Sequence, residues 1–138
     1  MLGAVIGDIV GSIYEFNNHR SKDFPFFGEG ADFTDDTVLT VAVADALLKD
    51  KPVARTLADW SWRYPGRGYG GRYAQWLKTW DHAPYGSFGN GSAMRVGPVG
   101  WARDTIGEVL VEAERTARPS HDHPEGIKGA QATALAVY

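Results

Sequence analysis

The fold is decided by one central stretch, Thr34-Asp35-Asp36-Thr37-Val38-Leu39-Thr40-Val41-Ala42-Val43-Ala44-Asp45-Ala46-Leu47-Leu48. Small residues with side-chain oxygens precede a long run that is mostly valine, leucine and alanine. Such residues are typical of a helix N-terminus, because they accept hydrogen bonds from the unpaired N–H groups of the first turn. The sequence therefore predicts a helix that begins at this triplet and ends at residues 49–52.

Helical spacing also dominates on both sides of this stretch, and β alternation is hard to find. The other predicted helices cover residues 2–16, 53–64, 72–80, 93–102, 105–116 and 124–138. Gly97 and Pro98 must kink or divide one of them, because proline cannot continue the helical hydrogen bonds. Thr105 and Glu108 have capping-box spacing, and Pro124 suits a first helical position. We expect an all-α fold in a single domain, residues 1–138.

Glycines and apolar residues share the first predicted helix. Gly3, Gly7 and Gly11 recur on one face, although a glycine inside a helix costs about 1 kcal/mol relative to alanine. Such a face indicates close approach of a neighbouring backbone or a ligand. Another face carries an apolar stripe of Val5, Ile6, Ile9, Val10 and Ile13. We therefore expect a buried helix.

The composition is that of an ordinary soluble globular protein, and it excludes several functional classes. The 138 residues carry a net charge of −3 and include no cysteine. Disulfides, thiolate catalysis and zinc–thiolate sites are excluded, and the mild charge does not indicate a nucleic-acid partner. Asp8 interrupts the N-terminal apolar run, and no stretch approaches the roughly 18 apolar residues of a membrane span. We expect a cytoplasmic protein.

The first candidate site is the triplet Thr34, Asp35 and Asp36. At a helix start these side chains can converge on one point, and hard cations such as Mg²⁺ take oxygen ligands. The alternative is that Thr34 or Asp35 caps the helix while the other acids favour its dipole. Glu15, beside two aromatic residues, is a candidate acid or base, or else a solvated glutamate at a helix end.

A glycine-rich loop, Gly86-Ser87-Phe88-Gly89-Asn90-Gly91-Ser92, is the other candidate site. Its glycines allow backbone N–H groups to point at an anion, and a predicted helix follows directly. The alternative is a tight turn rich in glycine and asparagine. Tyr85 or Phe88 is a candidate for stacking a purine. For His121 and His123, a ligand contact or a helix cap is favoured over a zinc site, whose other ligands are not evident.

Four motifs, taken in their order along the chain, resemble those of the ADP-ribosylglycohydrolase family. They are Gly3-Ala4-Val5-Ile6-Gly7-Asp8 with Glu15-Phe16, Phe33-Thr34-Asp35-Asp36-Thr37, Gly86-Ser87-Phe88-Gly89-Asn90-Gly91-Ser92-Ala93-Met94-Arg95, and His121-Asp122-His123-Pro124-Glu125-Gly126. Residues 33–37 are similar to the family's first metal motif, residues 86–95 to its substrate loop and residues 121–126 to its next ligand-contacting turn. The resemblance spans the chain and implies a compact, orthogonal multi-helix domain.

The resemblance also implies a two-magnesium centre, with Mn²⁺ as an alternative ion. Thr34, Asp35 and Asp36 would bind metal, and Glu15 would touch metal and share the catalytic role with Asp35 and Asp36. The substrate-binding residues would be Gly86, Ser87, Phe88, Gly89, Asn90, Gly91 and His121.

The implied activity is hydrolysis of the N- or O-glycosidic bond between ADP-ribose and an acceptor. This reaction reverses ADP-ribosylation of a protein or a small molecule. The alternatives are a module that binds ADP-ribose or a related nucleotide without turnover, an inactive fragment, and a purely structural helical domain.

The chain departs from the family pattern after His123. The family's other metal motif, Asp-x-Asp-Thr, has no counterpart here, and the triplet alone supplies too few ligands for two tight magnesium sites. We expect an incomplete domain (a fragment, a degenerate homologue, or half of a centre that a second chain completes) with weak or absent catalysis. Leu135, Ala136 and Tyr138 would form an exposed apolar face on the last helix, which predicts self-association.

Overall fold

Helices account for all the regular structure in the computed structural model, which describes residues 1–138. In chain order they are α1 (Leu2–Gly11), α2 (Asp35–Leu48), α3 (Val53–Arg63), α4 (Gly71–Trp76), α5 (Gly91–Met94), α6 (Gly97–Ala102), α7 (Ile106–Ala117) and α8 (Pro124–Val137), with a 3₁₀ turn at Ser12–Tyr14. The all-α prediction is confirmed. None of the helices combines the length and hydrophobicity needed to cross a membrane.

Helix α2 is the centre of the fold. Thr34 caps it, because Thr34 Oγ1 accepts a hydrogen bond from the Asp36 N–H at 3.2 Å, which confirms the predicted helix start. The helix packs on α1, α3 and α6. Half of its residues are buried, namely Val38, Leu39, Thr40, Ala42, Val43, Ala44 and Ala46.

The core is formed by small and branched side chains from α2, α3, α6, α7 and α8, joined by two aromatic side chains of α4. Leu39, Leu57, Val99 and Val109 are at most 2% exposed, and burying a side chain of this kind contributes about 1.5–3 kcal/mol. Helices α6 and α8 cross very closely. A Cβ on Gly100 would lie 2.6 Å from the carbonyl oxygen of Ala134, so glycine is required at this crossing.

Local sequence signals placed several helix boundaries correctly. Thr105 Oγ1 accepts a hydrogen bond from the Glu108 N–H at 3.2 Å, and α7 begins at the next residue, Ile106. Helix α5 ends at Met94 and α6 begins at Gly97, so the predicted segment 93–102 is divided. Pro124 is the first residue of α8. The helix predicted over residues 72–80 is observed as α4, which ends earlier, at Trp76.

The predicted burial of the first helix was wrong. Leu2 is 79% exposed and Ile6 is 44% exposed, whereas Val10 is the one buried residue of α1. A Cβ on any of the three glycines of α1 would have no other atom within 4 Å. The physical reason is that α1 packs on α2 along one side, and its glycine face borders an open groove. Glu15 follows the 3₁₀ turn after α1 and is not the end of a continuous helix.

The predicted apolar face of the last helix is only partly exposed. Leu135 was expected on the surface, but it is half-buried and packs against the core. Ala136 and Tyr138 are exposed, as predicted. The Tyr138 hydroxyl donates a hydrogen bond to the Asp104 carbonyl oxygen at 2.8 Å, which ties the end of α8 to the turn before α7.

Candidate functional site

Most of the predicted site residues line one cavity of about 460 Å³, called here the main cavity. It lies between the start of α2, the glycine-rich loop before α5 and the turn before α8. The predicted residues on its wall are Glu15, Asp35, Asp36, Ser87, Gly89, Asn90, Gly91 and His121. A cavity of this volume is typical of small-ligand sites. The fold thus brings the acidic residues and the glycine-rich loop to a single cavity. Its acidic end is defined here by Glu15, Asp35 and Asp36, and its loop end by residues 87–91.

Another cavity of about 410 Å³, called the side cavity, adjoins the acidic end of the main one. Thr34 lines the side cavity but not the main cavity, whereas Glu15 and Asp36 line both. Gly7 and Gly11 of α1 form its outer wall. Two of the three glycines of α1 therefore border the acidic residues, and the close approach of a ligand to this face stays a prediction.

Two predicted substrate-binding residues lie outside the main cavity. Phe88 is 69% exposed, and its ring centroid lies 5.3 Å from that of His123. The Gly86 N–H donates a hydrogen bond to Asp122 Oδ1 at 2.7 Å, so it is not free for an anion. Tyr85, by contrast, does line the main cavity, which makes it the better placed of the two aromatic candidates.

Asp8 of α1 holds the first turn of α2 and was missed by the sequence reasoning. Its Oδ2 accepts hydrogen bonds from the N–H groups of Thr34 at 2.8 Å and Thr37 at 3.1 Å. Its Oδ1 accepts the Thr34 hydroxyl proton at 2.6 Å. A lone carboxylate in the apolar run of α1 was the one signal for this role. These bonds fix the backbone that presents Asp35 and Asp36.

The loop before α4 holds the other side of the same turn. The Asp35 N–H donates to the Arg67 carbonyl oxygen at 2.7 Å. The Arg67 guanidinium pairs with Asp32, and its carbon lies 3.7 Å from the centroid of the Phe33 ring. Gly68 follows with a φ of +90°, a backbone conformation that favours glycine. The loop is therefore locked against the start of α2 by its backbone and by Arg67.

The acidic end of the main cavity carries negative charge that no ion pair balances. Burial, together with the charges of Asp36, Glu15 and Asp8, raises the pKa of Asp35 to about 6. Burial also raises the pKa of Asp36, with the charge of Asp8 as the next cause, although the hydrogen bond with Thr34 opposes the change. Carboxylates held together in this way favour the approach of a cation.

The acidic residues fit a hard cation in chemistry and location but not in number. Thr34, Asp35, Asp36 and Glu15 offer only oxygen atoms, which Mg²⁺ and Mn²⁺ accept. No three aspartate, glutamate or histidine side chains are grouped so that they could hold a metal ion. Further ligands would have to come from water or from outside this chain.

The loop end of the main cavity offers an unpaired backbone donor. The Gly91 N–H, in the first turn of α5, has no acceptor within the chain, and Gly91 lines the cavity. Helix α5 has only four residues, so its dipole contributes little. An anion would therefore be attracted chiefly by side-chain charge, and of the two arginines that line the main cavity, Arg72 and Arg95, one has a buried side chain.

That side chain is Arg95, which the sequence motif includes but to which the sequence reasoning gave no role in the site. It is 1% exposed and lines the floor of the main cavity. Its Nη2 donates to the Thr116 carbonyl oxygen and to Ser120 Oγ, each at 2.9 Å, whereas Nε and Nη1 have no partner. Burial lowers the pKa of Arg95, but arginine remains charged in proteins. A charge between Met94 and Val96 was the one signal for this role.

His121 lies between the glycine-rich loop and α8, and it is 4% exposed. A Cβ on Gly91 would lie 2.8 Å from its Cε1, so the ring packs directly against the loop. Burial, with the charges of Arg95 and Arg72 as the next causes, lowers the pKa of His121 to about 4. His121 is therefore neutral at physiological pH. His123 is exposed and caps α8, accepting the Glu125 N–H at 3.1 Å.

The fold and the cavity define a helical protein whose main cavity is lined both by carboxylates and by a buried arginine with unpaired nitrogen atoms. The sequence profile of the family described as ADP-ribosylglycohydrolase matches residues 1–138. The chain belongs to the ADP-ribosylglycohydrolase family, which confirms the resemblance.

Three curated relatives give the extent of the similarity. The chain is 26% identical over 168 residues to ADP-ribosylhydrolase ARH3 of Xenopus tropicalis, covering 100% of this chain and 48% of the relative. It is 28% identical over 169 residues to the Danio rerio ARH3, covering 100% and 45%. For the Homo sapiens ARH3 the values are 29% over 173 residues, with 100% and 48%. The chain spans about half the length of the curated relatives it matches.

Proposed function

We propose that this chain forms the ligand cavity of a hydrolase that cleaves the N- or O-glycosidic bond between ADP-ribose and an acceptor. The main cavity is the observation that carries the proposal. It has carboxylates at one end and, at the other, a glycine-rich loop above a buried arginine. ADP-ribose has the matching order of groups, a ribose that carries the bond to be cleaved and a diphosphate beside it.

The loop end suits the diphosphate. The free Gly91 N–H supplies a hydrogen-bond donor on the cavity wall. Arg95, whose Nε and Nη1 have no partner, lines the same cavity, and a buried positive charge attracts phosphate strongly because little water screens it. This end of the cavity would bind ADP-ribose and orient its ribose towards the acids.

The acid end suits ribose hydroxyls held with a divalent cation. Asp35 and Asp36, with Thr34 and Glu15, would hold Mg²⁺ or Mn²⁺, together with ligands that this chain does not supply. When bound, such an ion polarises the ribose hydroxyls and stabilises negative charge. The raised pKa of Asp35 supports this assignment, because the ionised carboxylates of Asp35 and Asp36 need a positive partner.

Hydrolysis requires a carboxylate that accepts a proton from water. In the proposed reaction the water oxygen bonds to the anomeric carbon while the bond from that carbon to the acceptor nitrogen or oxygen breaks. A carboxylate of the acid end, Glu15, Asp35 or Asp36, takes one proton of the water and passes it to the acceptor atom, which leaves protonated, while the water oxygen stays on the anomeric carbon as a hydroxyl. The substrate would be an ADP-ribosylated protein or small molecule, and its acceptor part would stay outside the cavity.

Titration calorimetry with ADP-ribose, with and without Mg²⁺, tests the proposal. We expect binding that Mg²⁺ strengthens in the wild-type chain, and loss of that Mg²⁺ dependence in Asp35→Asn and Asp36→Asn. Asp104→Asn is the matched control, because Asp104 is exposed and its carboxylate makes no ion pair. Absence of ADP-ribose binding under both conditions would overturn the proposal.

Another function, ADP-ribose binding without turnover, is favoured by one observation. The structure groups no three side chains that could hold a metal ion, so the chain alone does not complete a metal centre. Release of ADP-ribose from a modified protein separates the two functions. Magnesium-independent binding with no release favours the binding module, whereas release that requires Mg²⁺ favours the hydrolase. We expect weak release by this chain alone and an increase when a chain that carries further acidic ligands is added.

A further inference from the structure

A line of buried hydrogen bonds connects Arg95 to His121 through one serine. Arg95 Nη2 lies 2.9 Å from Ser120 Oγ, and Ser120 Oγ lies 2.8 Å from His121 Nδ1. Arg95 and Ser120 are each at most 1% exposed, and His121 is 4% exposed. Water therefore has little access to these contacts, and the protein atoms alone must satisfy them.

The direction of each hydrogen bond follows from what each group can donate. A guanidinium has no acceptor atom, so Arg95 must donate to Ser120 Oγ. The hydroxyl of Ser120 has a single proton, and its remaining partner is His121 Nδ1. If Nδ1 carried a proton, the Ser120 proton would be left without an acceptor in a buried place. His121 Nδ1 is therefore the acceptor.

A neutral imidazole with an accepting Nδ1 carries its proton on Nε2. Burial and the charge of Arg95 lower the pKa of His121 to about 4, so the ring is neutral at physiological pH. The ring lines the main cavity, and its Nε2 lies against the glycine-rich loop, 3.0 Å from the place that a Cβ on Gly91 would occupy. No hydrogen bond within the chain uses Nε2.

We propose that Arg95 and Ser120 are positioning residues that fix His121 as the neutral Nε2–H tautomer, so that His121 donates a hydrogen bond to an acceptor oxygen of the bound ligand. Nε2 then selects phosphate or ribose oxygen atoms and cannot act as a general base. The tautomer assignment does not depend on the proposed function, whereas the identity of the ligand oxygen rests on that proposed function.

Long-range ¹H–¹⁵N correlation spectra of the ¹⁵N-labelled wild-type chain at neutral pH test the tautomer directly. We expect a protonated Nε2 and an unprotonated Nδ1 for His121, assigned by the loss of its signals in His121→Gln. A protonated Nδ1, or protons on both nitrogens, would overturn the proposal. This measurement needs no ligand, and a folded His121→Gln chain serves only to assign the signals.

The variant Ser120→Ala tests whether the Ser120 hydroxyl fixes the tautomer of His121. Without the hydroxyl, Nδ1 loses its proton donor, and we expect a mixture of tautomers in the ¹⁵N spectrum. Thr56→Val is the control, because the Thr56 hydroxyl is also buried but donates to the Pro52 carbonyl oxygen at 2.9 Å, and Thr56 lines neither cavity. An unchanged tautomer in a folded Ser120→Ala chain would remove Ser120 from the mechanism.

Calorimetry with ADP-ribose then separates the two proposals. We expect Ser120→Ala to bind about threefold to tenfold more weakly than wild type, the effect of one weakened hydrogen bond, and Thr56→Val to stay within about twofold. If ADP-ribose does not bind wild type while the spectrum shows the Nε2–H tautomer, the proposed function fails and the tautomer assignment stands. Equal affinity of Ser120→Ala and wild type would show that the ligand does not use this donor.

Discussion

Replacing Asp35 with asparagine is expected to stabilise the cation-free protein at neutral pH. The pKa of Asp35 is about 6 in the folded chain against an ordinary value of 3.8. The folded state therefore holds this proton between pH 3.8 and about 6, where the unfolded state has released it. Stability falls as the pH rises through this interval and stays lower above it. Asparagine removes the loss because it has no charge to bury.

The size of the effect follows from the pKa difference and from solvent access. Each unit of pKa corresponds to about 1.4 kcal/mol, but Asp35 is only half-buried and water screens part of the penalty. We therefore expect Asp35→Asn to raise the free energy of unfolding by about 1 kcal/mol at pH 7.5. At pH 3.5 the difference should vanish, because Asp35 is then largely protonated in both states.

Urea unfolding followed by tryptophan fluorescence, at pH 3.5 and pH 7.5 with chelator present, measures this difference, and Asp104→Asn serves as the control. Addition of Mg²⁺ should stabilise wild type but not Asp35→Asn, since a cation that binds only the folded state raises its stability. Equal stability of wild type and Asp35→Asn at pH 7.5, or a destabilised variant, would refute the electrostatic reasoning.

Three further predictions concern the histidine and two glycines. The first is measured in the Asp35→Asn background, which removes the opposing contribution of Asp35. Stability should fall there as the pH drops from 6.5 to about 4, because the folded state lowers the pKa of His121 while unfolded histidine binds its proton near pH 6.5. Replacing His121 with glutamine should flatten this part of the pH profile. Gly100→Ala should cost about 1–3 kcal/mol in urea unfolding, because its Cβ would lie 2.6 Å from the Ala134 carbonyl oxygen, and a neutral variant would contradict the observed crossing of α6 and α8. Gly7→Ala, which meets no other atom within 4 Å, should instead stabilise α1 by up to about 1 kcal/mol, and a large loss of stability in the isolated chain would show that this face is packed.

Signals that depend on neighbouring residues allowed much of the fold to be predicted. The caps at Thr34 and Thr105 act within one helical turn, and the division at Gly97 and Pro98 follows from the missing N–H of proline. These features therefore depend on a few consecutive residues. The burial of α1 could not be judged in this way, because an apolar stripe shows which face prefers to be covered and not whether a partner is present.

The site was predicted in part for the same reason. Asp35, Asp36 and the glycine-rich loop carry recognisable motifs, and the fold places them on one cavity. Asp8 and Arg95 act through contacts with residues far along the chain, such as the Asp8 bonds to Thr34 and the Arg95 bond to Ser120. Local spacing does not encode such contacts. A charged residue within an otherwise apolar segment is the one signal that both share.

The central claim is that one cavity holds the terminal ribose of ADP-ribose at the acids and its diphosphate at the loop. A crystal structure of the chain with ADP-ribose and Mg²⁺ measures this directly. We predict phosphate oxygen atoms within hydrogen-bond distance of the Gly91 N–H and His121 Nε2, with the terminal ribose beside Asp35 and Asp36. A ligand bound elsewhere, or one whose ribose points away from both carboxylates, would contradict the account.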